Sequence, residues 1–163
     1  MPTHSPFQEL AAAHLESAYN LARWLVRDPA LADDVVQDAM LRALRYYHGF
    51  RGENARAWLL QIVRNVALTR LSRTDVTSAQ ADTEVAHDGP EAELMREDDH
   101  RQVHALLARL PVELRECLIL REIEELSYKE IARVVDAPIG TVMSRLWRGR
   151  KLLVEAARAA EAV

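Results

Sequence analysis

Apolar residues recur along most of the chain at the spacing of amphipathic helices, three or four positions apart. In the first part, Leu21 and Leu25 continue such a stripe to about residue 28, where Pro29 disfavours helical geometry at the residue before it. A second stripe predicts a helix over about 32–46, and a third helix begins near Ala55 after the loop "YYHGFRGEN". The pattern predicts a bundle of helices at the N-terminal end of the chain.

The second half shows the same period after a break. Residues 74–90, "TDVTSAQADTEVAHDGP", lack a sustained apolar period and predict a linker. A helix over about 91–109 ends at "LP", and a further helix that carries Leu114 and Leu118 follows Pro111. We therefore expect an all-α protein with two small helical domains, 7–73 and 91–160, joined by an acidic linker.

The composition supports an ordinary globular protein. Apolar residues make up 49% of the chain, which is enough to build a core. A single cysteine, Cys117, excludes an intrachain disulfide and favours a reducing, cytoplasmic setting. Neither a signal peptide nor an apolar run long enough for membrane insertion stands out.

The net charge of the chain is −4, but the charged residues are distributed unevenly along it. Residues 45–73 carry six Arg and one acid, residues 137–151 carry four basic residues and no acid, and acids concentrate between them. Two basic patches are typical of a nucleic-acid binder with two contact points. Ordinary solvated helix faces would give the same counts.

The segment "SYKEIARVVDAPIGTVMSRLWRGRK" (127–151) predicts two short helices around a turn. Ser127 and Glu130 fit a capping box, and Pro138 suits the start of the second helix. On that second helix Ile139, Val142 and Leu146 would face inward, opposite a face of hydroxyls and guanidiniums suited to phosphates and base edges. This pattern indicates a DNA-reading helix-turn-helix, while a hairpin in a plain bundle is the alternative.

Other residues that could carry chemistry do not assemble into a catalytic motif. His100 and His104 have metal-ligand spacing, but Arg101 stands where a zinc protease helix needs its Glu, so we expect a solvated helix face. Cys117 has apolar neighbours and predicts a buried thiol. The sequence thus predicts a binding protein rather than an enzyme, with no cofactor and no metal.

Two segments together resemble one known family. "LPVELRECLILREIEELSYKEIARVVDAPIGTVMSRLWRGRKLL" resembles the promoter-binding region of bacterial sigma factors, and "DDVVQDAMLRALRYYHGFRGENARAWLLQIVRNVALTRLSR" resembles their N-terminal conserved region. The build of two regions with a short linker is similar to the extracytoplasmic-function (ECF) group of the sigma-70 family. The resemblance implies a transcription initiation factor that binds core RNA polymerase and promoter DNA and is held by an anti-sigma factor.

The family's functional positions fall on three sets of residues here. The resemblance implies docking on core polymerase by the second helix, through Asp33, Asp34, Val36, Gln37, Met40 and Leu41. It implies recognition of the minus-ten element by Tyr47, His48, Phe50, Arg51, Asn54, Arg56, Arg64, Asn65 and Arg70. It implies reading of the minus-thirty-five element by Thr141, Ser144, Arg145 and Arg148, with Arg150 and Lys151 on phosphates.

Two other functions remain open. A stand-alone helix-turn-helix regulator would need no polymerase, but it leaves the Arg-rich segment after Tyr47 unexplained. A sigma mimic that sequesters an anti-sigma factor would need no DNA-binding residues, whereas Arg64, Arg145 and Arg148 are present.

Overall fold

A computed structural model describes residues 5–77 and 91–162, with side chains described for 5–73 and 98–162. Over those ranges the chain is helical and has no β-strand. The helices are α1 (Pro6–Val26), α2 (Pro29–Tyr46), α3 (Ala55–Thr77), α4 (Glu91–Ala108), α5 (Val112–Leu118), α6 (Tyr128–Val135) and α7 (Ile139–Glu161). The predicted all-α class is confirmed.

Local capping sets where the first two helices begin. The Ser5 hydroxyl accepts a hydrogen bond from the Gln8 amide at 3.2 Å, and the Gln8 side chain accepts one from the Ser5 amide at 2.9 Å. Asp28 caps α2 by accepting from the Ala30 amide at 3.0 Å, and Pro29 takes the first helical position. Because proline at that position lacks only an amide that would be unpaired anyway, α2 starts three residues before the predicted start at 32.

Helices α1, α2 and α3 pack together around one apolar core. Leu21, Val35, Leu59 and Val63 are fully buried where these helices meet. Each such side chain stabilises the fold by about 1.5–3 kcal/mol relative to an exposed position. Fully buried alanines at intervening positions let the helix backbones approach closely, namely Ala18, Ala22, Ala32, Ala39, Ala43, Ala57 and Ala67.

A second group is formed by α5, α6 and α7. Helix α5 continues into a π-helical turn, Ile119–Ile123, which the apolar spacing did not predict. Gly149 of α7 lies against α5, where an added Cβ would be 3.1 Å from the Leu118 Cδ1 atom. This glycine therefore sets the close approach of α7 to α5.

The two groups contact each other directly. Helix α3 packs on α6, and Trp24 of α1 stacks on two histidines of α4 with centroid distances of 4.8 Å to His100 and 4.1 Å to His104. The expectation of a solvated face is wrong for His104, which is half-buried because it covers the indole. The contacts between α1–α3 and α4–α7 thus include an aromatic stack.

The predicted linker lies mostly outside the described residues. Helix α3 continues to Thr77, four residues into the segment 74–90, and residues 78–90 are not described. No helix in the described ranges is both long and apolar enough to cross a membrane.

Candidate nucleic-acid and polymerase interfaces

The predicted helix-turn-helix is formed by α6 and α7. Ser127 and Glu130 make the capping box, with the Glu130 amide 3.1 Å from the Ser127 hydroxyl and the Ser127 amide 3.0 Å from the Glu130 carboxylate. Asp136 ends α6 in the left-handed conformation at φ 53° and ψ 55°, which aspartate tolerates better than most residues. The predicted cap and turn are confirmed.

Helix α7 buries one face and exposes the other. Val142 is fully buried and Leu146 is 1% exposed, whereas Ile139 is 45% exposed. The prediction that Ile139 faces inward is therefore wrong, and the residue stands at the very first position of the helix. On the outer side Ser144 and Arg148 are exposed, while Thr141 and Arg145 are half-buried.

Arg145 is half-buried, and its charge lies near the buried Cys117. Burial raises the pKa of the Cys117 thiol to about 11, and the charge of Arg145 opposes that rise. Cys117 is a free and buried cysteine, as predicted.

The C-terminal part of the basic face is organised by short-range contacts. Arg150 binds Glu122 through two nitrogens at 3.1 and 2.7 Å, and the Lys151 ammonium lies 5.4 Å from the centroid of the Trp147 ring. Trp147 is 66% exposed and was missed by the sequence reasoning. Its position between Ser144 and Lys151 at 100° per residue places it on the outer face, and that spacing could have identified it.

The loop after α2 is built from aromatic contacts. Phe7 and Tyr47 meet edge to face with centroids 5.5 Å apart, and Phe50 lies 4.8 Å from Trp58. Tyr47 and Phe50 are half-buried by these contacts, whereas His48 and Arg51 are exposed. The loop thus carries aromatic residues of the types that stack on bases, and some of them are already partly covered by contacts within the protein.

Polar side chains at the start of α3 and along it form the rest of the predicted minus-ten set. Asn54 caps α3 by accepting from the Ala57 amide at 3.1 Å and is itself left-handed at φ 47°. Arg64 donates to the Asn65 side chain at 3.1 Å, and Arg70 lies 3.6 Å from an Asp38 carboxylate oxygen. Asn54, Arg56 and Arg64 also donate hydrogen bonds to carboxylates of the C-terminal half, which belong to Glu130, Glu124 and Glu116 respectively.

The predicted polymerase face lies on α2. Asp33, Asp34 and Gln37 are exposed, Leu41 is 68% exposed and Met40 is half-buried. Val36 is only 7% exposed and packs into the core, so it supports this face from beneath. Leu44, 52% exposed and in the last turn of α2, extends the apolar surface and was not predicted. Acids beside exposed leucines make a plausible docking surface for a protein partner.

Comparison with known proteins identifies both halves of the chain. The family model for "Sigma-70 region 2" matches residues 10–77, and that for "Sigma-70, region 4" matches residues 100–153. The chain is 37% identical over 145 residues to the RNA polymerase sigma-H factor of Pseudomonas aeruginosa, covering 80% of this chain and 75% of the relative. It is 35% identical over 136 residues to the ECF RNA polymerase sigma-E factor of Escherichia coli, covering 74% and 70%.

Solved structures with the same fold include a sigma factor in complex with an anti-sigma factor. The sigma factor RpoE in complex with the anti-sigma factor NepR from Bartonella quintana matches with a TM-score of 0.78 and 26% identity over 93% of this chain and 96% of that one. CnrH in complex with the cytosolic domain of CnrY matches with a TM-score of 0.74 and 25% identity over 94% and 88%.

Proposed function

The chain belongs to the ECF group of the sigma-70 family, whose members direct RNA polymerase to promoters, and we propose that it does so through three separate surfaces. The exposed side of α2 binds core RNA polymerase, the loop after α2 together with α3 binds the minus-ten element, and α7 reads the minus-thirty-five element. In this proposal 7–73 and 91–160 act as separate domains, and the protein works in the cytoplasm.

The outer face of α7 gives this proposal its strongest support. Ser144 and Arg148 are exposed on the second helix of a capped helix-turn-helix, with Trp147 between them. Guanidinium and hydroxyl groups on such a helix bind base edges in the major groove, while neighbouring cations bind phosphates. The exposed indole adds an apolar surface of the kind that contacts thymine methyl groups.

Polymerase docking rests on the exposed leucine and acids of α2. A leucine that is 68% exposed does not contribute to the core, and its surroundings combine apolar area with charge as protein interfaces do. When polymerase holds the two domains at fixed positions, each weak DNA contact raises the effective concentration of the other. Promoter specificity then arises from the pair of contacts.

Control by an anti-sigma factor belongs to the same proposal. One solved sigma factor that this chain resembles is in complex with an anti-sigma factor, and the similar protein CnrH is in complex with the cytosolic domain of CnrY. A protein that covers the face of α2 or of α7 would prevent assembly with polymerase or with promoter DNA.

Run-off transcription with core polymerase on a genomic library tests the function. We expect start sites that depend on this protein, and their absence would remove the proposed role. Changing Arg145→Ala with Arg148→Ala should abolish protection of the upstream element while core binding stays within about twofold of wild type. Arg158→Ala, an exposed arginine near the end of the same helix, is the control. A specific footprint of the free protein without polymerase would instead support a stand-alone regulator.

A further inference from the structure

The two cations that the sequence assigns to phosphates stand on different sides of α7. At about 100° per residue, Lys151 lies about 20° around the helix axis from Ser144, on the exposed outer face. Arg150 lies about 40° from Leu146, which is 1% exposed and packs into the core. Of these two cations, only Lys151 therefore shares the outer face with the residues that would read bases.

Arg150 binds an acid of the π-helical turn that follows α5. Its Nε atom lies 3.1 Å from one Glu122 carboxylate oxygen, and a terminal nitrogen lies 2.7 Å from the same oxygen. Because two nitrogens share one acceptor, the contact constrains the orientation of the guanidinium as well as its position. The hydrogen bond to Glu122 raises the pKa of Arg150, and nearby Tyr128 acts in the same direction. A phosphate would have to displace Glu122 in order to use these two donors.

The residue before Glu122 makes a matching contact with the other helix of the helix-turn-helix. The Arg121 side chain donates to the Leu126 carbonyl at 2.9 Å, and its guanidinium carbon lies 4.8 Å from the centroid of the Tyr128 ring. Tyr128 is the first residue of α6. Two consecutive residues of one turn thus contact the two helices, since Arg121 reaches the start of α6 and Glu122 reaches the middle of α7.

The π-helical turn determines where these two side chains point. The Glu124 amide donates to the Ile119 carbonyl, five residues earlier, at 3.1 Å, whereas an α-helical turn pairs residues four apart. The extra residue rotates the end of the turn relative to α5. Turns of this kind are frequent at functional sites, and this one directly precedes the helix-turn-helix.

We propose that Arg150 is a positioning residue and not a phosphate ligand, and that its pair with Glu122 fixes the angle at which α7 enters the major groove. The proposal rests on the function proposed above, because it concerns the same minus-thirty-five surface. Lys151 then remains the cation of the two that binds phosphate. Arg150 acts on DNA only through the placement of the reading residues Ser144 and Arg148.

The exposure of the pair favours a positional role over a stabilising one. The side chain of Arg150 is 47% exposed and that of Glu122 is 56% exposed. Ion pairs at such positions contribute little to the free energy of unfolding, because water screens them. They can still select one orientation of a helix among several of similar free energy. An acid beside a DNA-binding helix weakens the attraction to phosphates, and its presence here is explained if the acid holds that helix in place.

Removal of Glu122 distinguishes the two roles of Arg150 by the sign of the effect. Holoenzyme formed by each variant with core polymerase is titrated on a promoter duplex found by run-off transcription, over a range of salt concentrations. If Arg150 positions α7, Glu122→Ala should weaken binding as much as Arg150→Ala does, by about fivefold. If Arg150 instead binds a phosphate, Glu122→Ala should tighten binding, because it frees the cation and removes an acid.

Salt dependence and a charge swap give two further readouts. Lys151→Ala should flatten the slope of log K against log salt by about 0.9, the value of one lost phosphate contact, whereas Arg150→Ala should leave the slope unchanged. The swap of Glu122→Arg with Arg150→Glu rebuilds the pair in reverse and should restore binding to within about twofold of wild type. Glu113→Ala, which removes an exposed acid of α5, is the control and should not weaken binding. Tighter binding by Glu122→Ala, a flatter slope for Arg150→Ala, or a swap that binds more weakly than Arg150→Ala would overturn the proposal.

Spin labels on Lys129→Cys in α6 and Arg158→Cys in α7 follow the angle between the two helices without DNA or polymerase. Both positions are exposed, and the buried Cys117, whose pKa is raised to about 11, is protected from labelling. Glu122→Ala and Arg150→Ala should each broaden the distribution of label distances, and the charge swap should narrow it again. Unchanged distributions in both single variants would refute the positioning role. If run-off transcription finds no start site, the proposed function fails, and the label distances still show whether the pair positions α7.

Discussion

His104 should make the fold sensitive to mild acid. Burial, and after it the charges of nearby groups, together lower its pKa from 6.5 to about 4. These groups face it from the C-terminal end of α1, from α4 and from α5 and are, in order of effect, Arg27, His100, Arg23 and Arg115. Since the folded pKa lies below the unfolded one, the unfolded chain takes up the proton first. The contribution to stability is complete above pH 6.5 and is lost as the pH falls toward 4.

The size of this effect follows from the shift. One pKa unit corresponds to about 1.36 kcal/mol, so the shift limits the loss of unfolding free energy to at most about 3 kcal/mol. His104 retains some exposure, and solvent screening reduces the expected loss to about 1–2 kcal/mol. Its Nδ1 atom is buried without a hydrogen-bond partner among the described residues, so an apolar ring at this position should not weaken the fold at neutral pH.

Urea unfolding of wild type and His104→Phe at several pH values between about 7 and 4 measures the effect. Phenylalanine keeps the stacking on Trp24 and cannot titrate, so the difference in unfolding free energy between the two proteins should change by about 1–2 kcal/mol across that range. His48→Phe, an exposed histidine that is absent from the groups acting on His104, is the control and should follow wild type. Parallel profiles for wild type and His104→Phe would refute the reasoning.

Three further changes test the polymerase face, the helix cap and the core. In a pull-down titration, Leu41→Glu on α2 should weaken core polymerase binding at least about tenfold, while the unfolding free energy stays within about 0.5 kcal/mol of wild type. Leu15→Glu, which is also exposed but lies on α1, should leave that binding unchanged. Ser127→Ala should lower the unfolding free energy by about 0.5–2 kcal/mol in urea, and no loss would mean that the cap is replaced by solvent. Ile131→Ala, at a site that is 0% exposed, should cost about 2–5 kcal/mol, and a smaller loss would show that the site collapses around the cavity.

Short-range patterns predicted the features that depend on neighbours along the chain. The capping box of Ser127 and Glu130, the turn between α6 and α7 and the buried thiol of Cys117 follow from spacing and local chemistry, and all are present. The start of α2 was placed too late because apolar spacing was weighed above the strong start signal of Asp28 and Pro29. The helical spacing of apolar residues also predicted that Ile139 faces inward, although the first residue of a helix has no preceding turn to pack beside it.

Contacts between the two halves could not be predicted in the same way. Arg64 and Glu116 are separated by 52 positions, and each alone has the pattern of an ordinary charged residue on a helix. The burial of Glu116 becomes visible only once α3 and α5 are placed, and the stack of Trp24 on His104 depends on the same placement. Periodicity identifies which face of a helix is apolar, but it carries no information on which charged residues are covered by another helix.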